Sequence, residues 1–421
     1  MKKLLIAVLC LMLTGCAAPA PSDGSGPDRS VSPDIPAPSP AASSAPNGES
    51  GPPQASPETD PETAENPSAS QEPSESSLGP QNQEQIIQEL LSAMTLEEKV
   101  GQMFFVRCPE TGGAELAAQY KVGGYLLFGR DFKDKTAQQV RDDIQSYQDA
   151  SGIPLLIGTD EEGGTVVRAS SNPDLFPQRE PAPQTLFAQG GMDLILQDAR
   201  QKSMTLLDLG VNVNFAPVAD VSTDPADFIY ARSFGQDAQA TANYVAQVVG
   251  VMGEEQIGSV LKHFPGYGNN VDTHTGIALD QRPYETFQTS DFLPFQAGIQ
   301  AGADAVLVSH NIVNCMDAEL PASLSPAVHK VLRETCGFEG IAITDDLAMD
   351  AVKAYAKEGA VAVMALQAGN DMVITTDYRT QIPAVIAAVQ EGTLAESVID
   401  SACLRVLKCK DDHIYIPSLY S

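Results

Sequence analysis

The segment from Lys262 through His263, Phe264, Pro265, Gly266, Tyr267, Gly268, Asn269, Asn270 and Val271 to Asp272, Thr273 and His274 ends in a carboxylate and an imidazole two residues apart. Two glycines and a proline keep the approach to that pair out of regular structure. In an extended chain, residues i and i+2 project to one face roughly 6.6 Å apart, near enough for the side chains of Asp272 and His274 to touch. Asp272 would then orient His274 and favour its protonated form, which suits a general acid near neutral pH. A histidine satisfied by a local loop hydrogen bond is the plainer reading of the same spacing. Asp345, at the end of the aliphatic run Ile341–Thr344, offers the complementary chemistry, a carboxylate placed to attack an electrophilic carbon. Asp in that position also serves as a helix N-cap, and Asp346 beside it is the better candidate for capping.

The elements that must position these groups alternate between strand and helix. Residues 85–100 carry Ile86, Leu90, Leu91, Met94 and Leu96 at helical intervals, and Thr95 followed by Glu98 fits a capping box that restarts a second helix. Short β-like runs follow at 123–128, 154–158, 211–215, 259–262, 305–308, 341–344 and 372–375, most of them leading through a polar loop into an amphipathic helix such as 241–252 or 381–390. Strands joined by crossover helices require a parallel sheet covered on its outer face. Seven or eight such units, without a G-x-G-x-x-G after the first strand, favour an α/β fold closed as a (β/α)8 TIM barrel over an open doubly wound sheet. In that barrel the active site lies at the C-terminal strand ends, which singles out Asp160, Glu161, Glu162, Lys262, His263, Ser309, His310, Asp345 and Asp346.

The chain has 421 residues, 55 acidic against 25 basic, and a formal charge of −30, so it repels nucleic-acid phosphate and a nucleic-acid partner is not expected. The absence of tryptophan and the 6% aromatic content argue against a module that presents flat rings to sugars, yet leave room for a polar sugar pocket. Residues 1–15 read as a secretory signal: two lysines, a mostly aliphatic run from Leu4 to Leu13, then Thr14 and Gly15 before Cys16. The sequence L-T-G-C resembles a bacterial lipobox, so Cys16 is expected to be lipidated and to tether the protein to the outer face of the cell membrane; an ordinary secretory signal with an incidental cysteine is the alternative. Residues 16–82 hold ten carboxylates against Arg29 alone and almost no large apolar side chains, the composition of a disordered spacer. The folded domain is expected over residues 83–421. The remaining cysteines, Cys108, Cys315, Cys336, Cys403 and Cys409, show neither metal spacing nor a disulfide pattern and read as small core residues.

With these residues in place, the chain resembles the family 3 glycoside hydrolases, in particular their bacterial β-N-acetylglucosaminidase branch. The resemblance rests on M-T-L-E-E-K-V-G-Q-M at 94–103, G-T-D-E-E-G-G-T-V-V-R at 158–168, A-R-S-F-G at 231–235, K-H-F-P-G-Y-G at 262–268 with D-T-H at 272–274, and I-T-D-D-L-A-M at 343–349. It implies a (β/α)8 barrel and removal of terminal β-linked N-acetylglucosamine with retention, without metal or organic cofactor. It also implies that Asp345 is the nucleophile, that His274 is the acid/base with Asp272 as its partner, and that Asp160, Arg168, Arg232, Lys262 and His263 grip the sugar hydroxyls. Two departures stand out: Tyr267 holds a place often taken by His or Asp, and the loop from Lys262 to Asp272 is one residue shorter than is common. The family's β-glucosidases draw a glutamate acid/base from a following domain, for which little chain is left here.

Other readings remain open at this level. His263, His274 and His310 follow successive strands and form an imaginable metal triad, although no zinc spacing supports it. A non-catalytic lipoprotein that binds sugars or muropeptides would share the anchor and spacer. A phosphorylase is a third, because a histidine acid/base admits an anionic acceptor that a carboxylate would repel. The oligomeric state is not legible.

Overall fold

The computed structural model describes residues 80–270, 278–353, 355 and 360–413. The signal segment, Cys16 and all but the last residues of the expected spacer lie outside the described residues, as do Asp272 and His274. The first described helix, Pro80–Ala93, begins three residues ahead of the expected domain boundary. Thr95 caps the second helix, Leu96–Gln102, through the expected reciprocal pair: the Glu98 N–H donates to Thr95 Oγ1 at 3.3 Å and the Thr95 N–H donates to Glu98 Oε2 at 2.9 Å.

Eight parallel strands close into a barrel in sequential order. They are β1 (Phe104–Arg107), β2 (Gly124–Leu127), β3 (Leu156–Thr159), β4 (Val213–Asn214), β5 (Gly258–Phe264), β6 (Ala305–Val308), β7 (Ile341–Asp346) and β8 (Met372–Thr375), and β8 pairs back onto β1 with Val373 opposite Phe104. All seven runs read from the sequence are strands. The eighth, β1, was missed because only Met103 separates it from the preceding helix, so no turn residue breaks the apolar pattern.

Both faces of the strands are buried, which is why they read as continuous aliphatic runs rather than alternating ones. Phe105, Leu126, Leu156, Phe215, Val260, Leu307, Ile343 and Ile374 fill the barrel, while neighbours such as Phe104, Val106, Tyr125, Ile157 and Leu261 pack outward against the helices. Inside, the Phe105 and Phe215 rings meet edge to face at 5.3 Å. Gly158 lies beneath them: a Cβ there would come within 2.6 Å of Phe215 and 2.8 Å of Phe105, so the space for these rings depends on its missing side chain.

The last described helix, Glu396–His413, covers the barrel floor, inserting Val406 into the interior cluster and packing Cys403 and Leu407 against Ile87 and Leu91 of the first helix. No helix among the described residues is long and apolar enough to cross a membrane. Cys108, Cys336 and Cys403 are buried as expected and Cys409, partly covered, packs against the interior cluster, but Cys315 is exposed, which corrects its assignment to the core.

Candidate active site

The C-terminal strand ends open on a cleft of about 360 Å³, within the range of about 300–1,000 Å³ common for small-molecule sites. Asp345 lines it together with all five residues expected to hold a sugar: Asp160, Arg168, Arg232, Lys262 and His263. They come from the ends of β3, β5 and β7 and from the loops after β3 and β4. Residues separated by up to 185 positions, from Asp160 to Asp345, are thus gathered by barrel closure alone.

Asp160, Lys262 and Arg232 of the cleft wall are tied together through the buried Glu162. The Lys262 ammonium donates to Asp160 Oδ1 at 2.7 Å and lies 2.6 Å from Glu162 Oε1. Arg232 holds Glu162 with two bonds, Nε to Oε2 at 2.9 Å and Nη2 to Oε1 at 2.7 Å. Burial by itself would raise the Glu162 carboxyl, but the Lys262 and Arg232 cations outweigh it and hold the group down at about 2. Burial likewise opposes the charge on Arg232, and the Glu162 carboxylate reverses that and raises it. Lys262 has three ammonium protons, two of them committed to these carboxylates, which leaves one donor for a ligand hydroxyl.

His263 is fixed from both sides. Its backbone N–H and its Nδ1 lie 3.0 and 2.7 Å from Asp220 Oδ2, and its Nε2 lies 3.0 Å from Arg232 Nη2. A guanidinium only donates, so Nε2 accepts and the ring proton sits on Nδ1, facing Asp220. The second Asp220 oxygen accepts the Tyr267 N–H at 2.7 Å. Tyr267, the departure noted in the sequence, is a buried packing residue whose ring meets His263 edge to face at 5.1 Å. Gly266 before it adopts φ +124°, and a side chain there would run into the Asp291 carboxylate. The pairing of β5 with β6 is irregular between Leu261 and Phe264, where Lys262 and His263 both reach the cleft instead of alternating across the strand.

The three acidic residues after β3 have separate tasks. Asp160 faces the cleft and also pairs with Arg168 Nη2 at 3.4 Å, and Glu162 carries the central ion cluster. Glu161 is buried and holds the loop that follows: its Oε2 accepts the N–H groups of Arg168, Ala169 and Ser170 at 2.9, 2.7 and 3.3 Å. Asp346, the candidate cap, accepts the Ala348 N–H at 2.9 Å and turns the chain just ahead of the short helix Asp350–Lys353. Burial raises its carboxyl, and the adjacent Asp345 adds to the effect. His310 Nε2 lies 3.1 Å from the Asp346 carbonyl and Nδ1 lies 2.7 Å from Ser323 Oγ, so this ring braces the strand end that presents Asp345. Those partners occupy both ring nitrogens, which removes His310 from the metal triad imagined above.

Sequence reasoning missed three groups here. Arg107 ends β1 and lines the cleft beside Asp346; its guanidinium carbon stands 4.3 Å from the Phe128 ring centre, and that of Arg168 stands 5.3 Å from the same ring. Among the described residues the Nε atoms of Arg107 and Arg168 are buried without a hydrogen-bond partner, leaving donor capacity beside the cleft. Phe128, just past the end of β2, and Asp220, beyond the end of β4, are the other two. The rule that polar residues beyond strand ends face the mouth would have found Asp220 had it been extended a few residues further. Arg107 required knowing that β1 exists.

Comparison with known proteins identifies the family and the fold. Residues 95–409 match the glycosyl hydrolase family 3 N terminal domain. A beta-hexosaminidase of Stenotrophomonas maltophilia is 35% identical over 274 residues, covering 62% of this chain and 80% of that protein. A glycosyl hydrolase family 3 member from Mycobacterium smegmatis superposes with a TM-score of 0.68 at 30% identity, covering 76% of this chain and 98% of that one. A family 3 beta-N-acetylglucosaminidase from Paenibacillus sp. FPU-7 superposes with a TM-score of 0.70 at 28% identity, covering 78% of this chain and 64% of that longer one.

Proposed function

The chain belongs to glycosyl hydrolase family 3, and from that premise we propose that it is a retaining, exo-acting β-N-acetylglucosaminidase that removes terminal β-linked N-acetylglucosamine from peptidoglycan fragments or chito-oligosaccharides. It is a glycoside hydrolase, and its relatives make a β-N-acetylhexosaminidase activity the one that fits. The observation that carries the reading is the position of Asp345 in one cleft with Asp160, Arg168, Arg232, Lys262 and His263. A sugar held by charge-assisted hydrogen bonds from those five groups would be fixed in one ring orientation over the carboxylate.

In the proposed cycle the ionised Asp345 attacks the anomeric carbon while His274, oriented by Asp272, gives its proton to the departing glycosidic oxygen. The bond to the aglycone breaks as the ester to Asp345 forms. His274 then takes a proton from water as the water oxygen attacks the same carbon and the ester bond to Asp345 breaks, which returns the carboxylate and releases the sugar with its configuration retained. The roles of His274 and Asp272 rest on the sequence resemblance. Arg107 and Arg168 flank the cleft with unused donor capacity and would add to the grip on the substrate. In the cell the enzyme would stand on the outer face of the cytoplasmic membrane, anchored through lipid on Cys16.

The test uses a slow fluorinated N-acetylglucosaminide and the full chain in detergent. Mass spectrometry should find the sugar on the peptide holding Asp345, and Asp345→Asn should lower release from an aryl β-N-acetylglucosaminide by more than about 10³-fold, roughly 4 kcal/mol of transition-state stabilisation. A label on another residue, or wild-type turnover equal to that of Asp345→Asn while the sugar still binds, would overturn the assignment and favour a non-catalytic binder. Release of sugar 1-phosphate in phosphate buffer would replace hydrolysis by phosphorolysis.

A further inference from the structure

At the opposite end of the barrel, Asp304, Cys409 and His413 bring a carboxylate, a thiol and an imidazole together, with their ligating atoms all within 4.8 Å of one another. Asp304 immediately precedes β6, while Cys409 and His413 lie one turn apart on the helix that covers the floor, so both project to one face. The surroundings of the imidazole are specific. Its Nδ1 lies 3.2 Å from the Gln256 carbonyl, which requires the proton on Nδ1. Its Nε2 then faces Asp304 Oδ1 at 2.6 Å, a lone pair against a carboxylate, so a proton bridges them here, in the place a metal ion would take once the pair opens. The other carboxylate oxygen, Asp304 Oδ2, is already held by the Ser259 N–H at 2.8 Å and the Ser259 hydroxyl at 2.9 Å.

A plain ion pair needs nothing more, yet the Cys409 thiol closes the third side. A backbone carbonyl on the far nitrogen of the histidine, and donors on the far oxygen of the carboxylate, are the supports that surround metal-bound ligands in proteins. Zinc bonds of about 2.0–2.3 Å place tetrahedral ligands about 3.5 Å apart. The trio reaches that arrangement by opening the imidazole–carboxylate pair by roughly 1 Å around a sulfur that already lies within 4.8 Å of both. An adjoining cavity of about 380 Å³, lined by Asp304, Cys409 and Asp412, gives an ion and its water a way in.

We propose that Asp304, Cys409 and His413 form a structural site for a divalent transition-metal ion of the zinc class, with Asp412 or a water molecule as the fourth ligand. Thiolate, imidazole and carboxylate together suit zinc or cobalt rather than calcium or magnesium. On binding, the thiol proton and the proton shared by His413 and Asp304 leave to solvent, and the ion ties the floor helix to the strand ends. The barrel's floor is the end where such a site serves stability and not catalysis.

The test is titration of the metal-free full chain with Zn²⁺ by calorimetry and with Co²⁺ by absorption. The expected results are one ion per chain, a thiolate-to-cobalt charge-transfer band, and a Tm that rises with zinc. Cys409→Ser should abolish the band and the Tm shift, and His413→Gln should weaken zinc binding by more than about tenfold. Cys315→Ser, which removes an exposed thiol elsewhere, should leave all three unchanged. Absence of stoichiometric uptake by the wild type, a cobalt complex without the thiolate band, or uptake unaffected by Cys409→Ser would each overturn the proposal and leave a proton-bridged ion pair. The wild-type cobalt spectrum decides the matter without any variant having to fold.

Discussion

Arg232, which lines the cleft, forms a two-pronged pair with the buried Glu162 behind it, with Lys262 on the same carboxylate and Asp160 on the far side of Lys262. Within this foursome two cations and two anions cancel. Because Glu162 and Lys262 are buried, removing either one exposes the imbalance.

Glu162→Gln should therefore destabilise the fold by about 3–5 kcal/mol, the range for breaking a buried ion pair from one side. The pH dependence follows from the sign of the shift. The Glu162 carboxyl is depressed from an ordinary 4.5 to about 2, so its contribution is fully present above pH 4.5 and is lost as pH falls toward 2. The amount at stake is about 3 kcal/mol. Urea unfolding across that window should show a flatter acid limb in the variant, and parallel limbs would remove Glu162 from the account.

Asp220→Asn puts a donor where His263 Nδ1–H needs an acceptor. If the new amide nitrogen faces the ring, the ring proton moves to Nε2 and meets the Arg232 guanidinium, so the imidazole must turn. The expected outcome is a fall of about 10–100-fold in kcat/KM, by analogy with groups that orient an imidazole, together with a lowered Tm, because the same carboxylate also accepts the backbone N–H groups of His263 and Tyr267. Nitrogen NMR of the His263 tautomer in the folded protein, read beside the kinetics, separates this positioning role from a purely structural one, which would lower Tm and leave the tautomer and kcat/KM of the folded enzyme unchanged.

Cys16→Ala should shift the protein from the membrane to the soluble fraction of its host and into the aqueous phase on detergent partition, with the specific activity of the folded domain unchanged. Membrane retention of the variant would sink the lipid-anchor reading.

Much of the barrel was legible because strand and helix signals are local. Val306, Leu307 and Val308 read as a strand since both faces of a parallel sheet are covered, and Thr95 with Glu98 read as a cap since the bonds involved span three residues. β1 was not legible, because the helix before it hands over its apolar pattern without a break, and Arg107 was lost with it. The cysteines misled for a related reason. Burial of a single residue depends on what packs over it, and Cys315 is left exposed.

The sequence by itself determined the repeating strand and helix units, the caps, and which charged residues stand at strand ends, all matters of neighbours within a few positions. Only the tertiary structure decided that Glu161 holds a loop while Glu162, one residue on, carries the ion cluster, and that Asp160 shares Lys262 with it from across the strand end. It also put Asp304 beside His413 on the floor. The reason is range: hydrogen-bonded turns and apolar periods are set by adjacent residues, whereas the partner of a buried charge is whichever opposite charge the closed barrel brings within about 3 Å, and that distance is fixed by strands far apart in the chain.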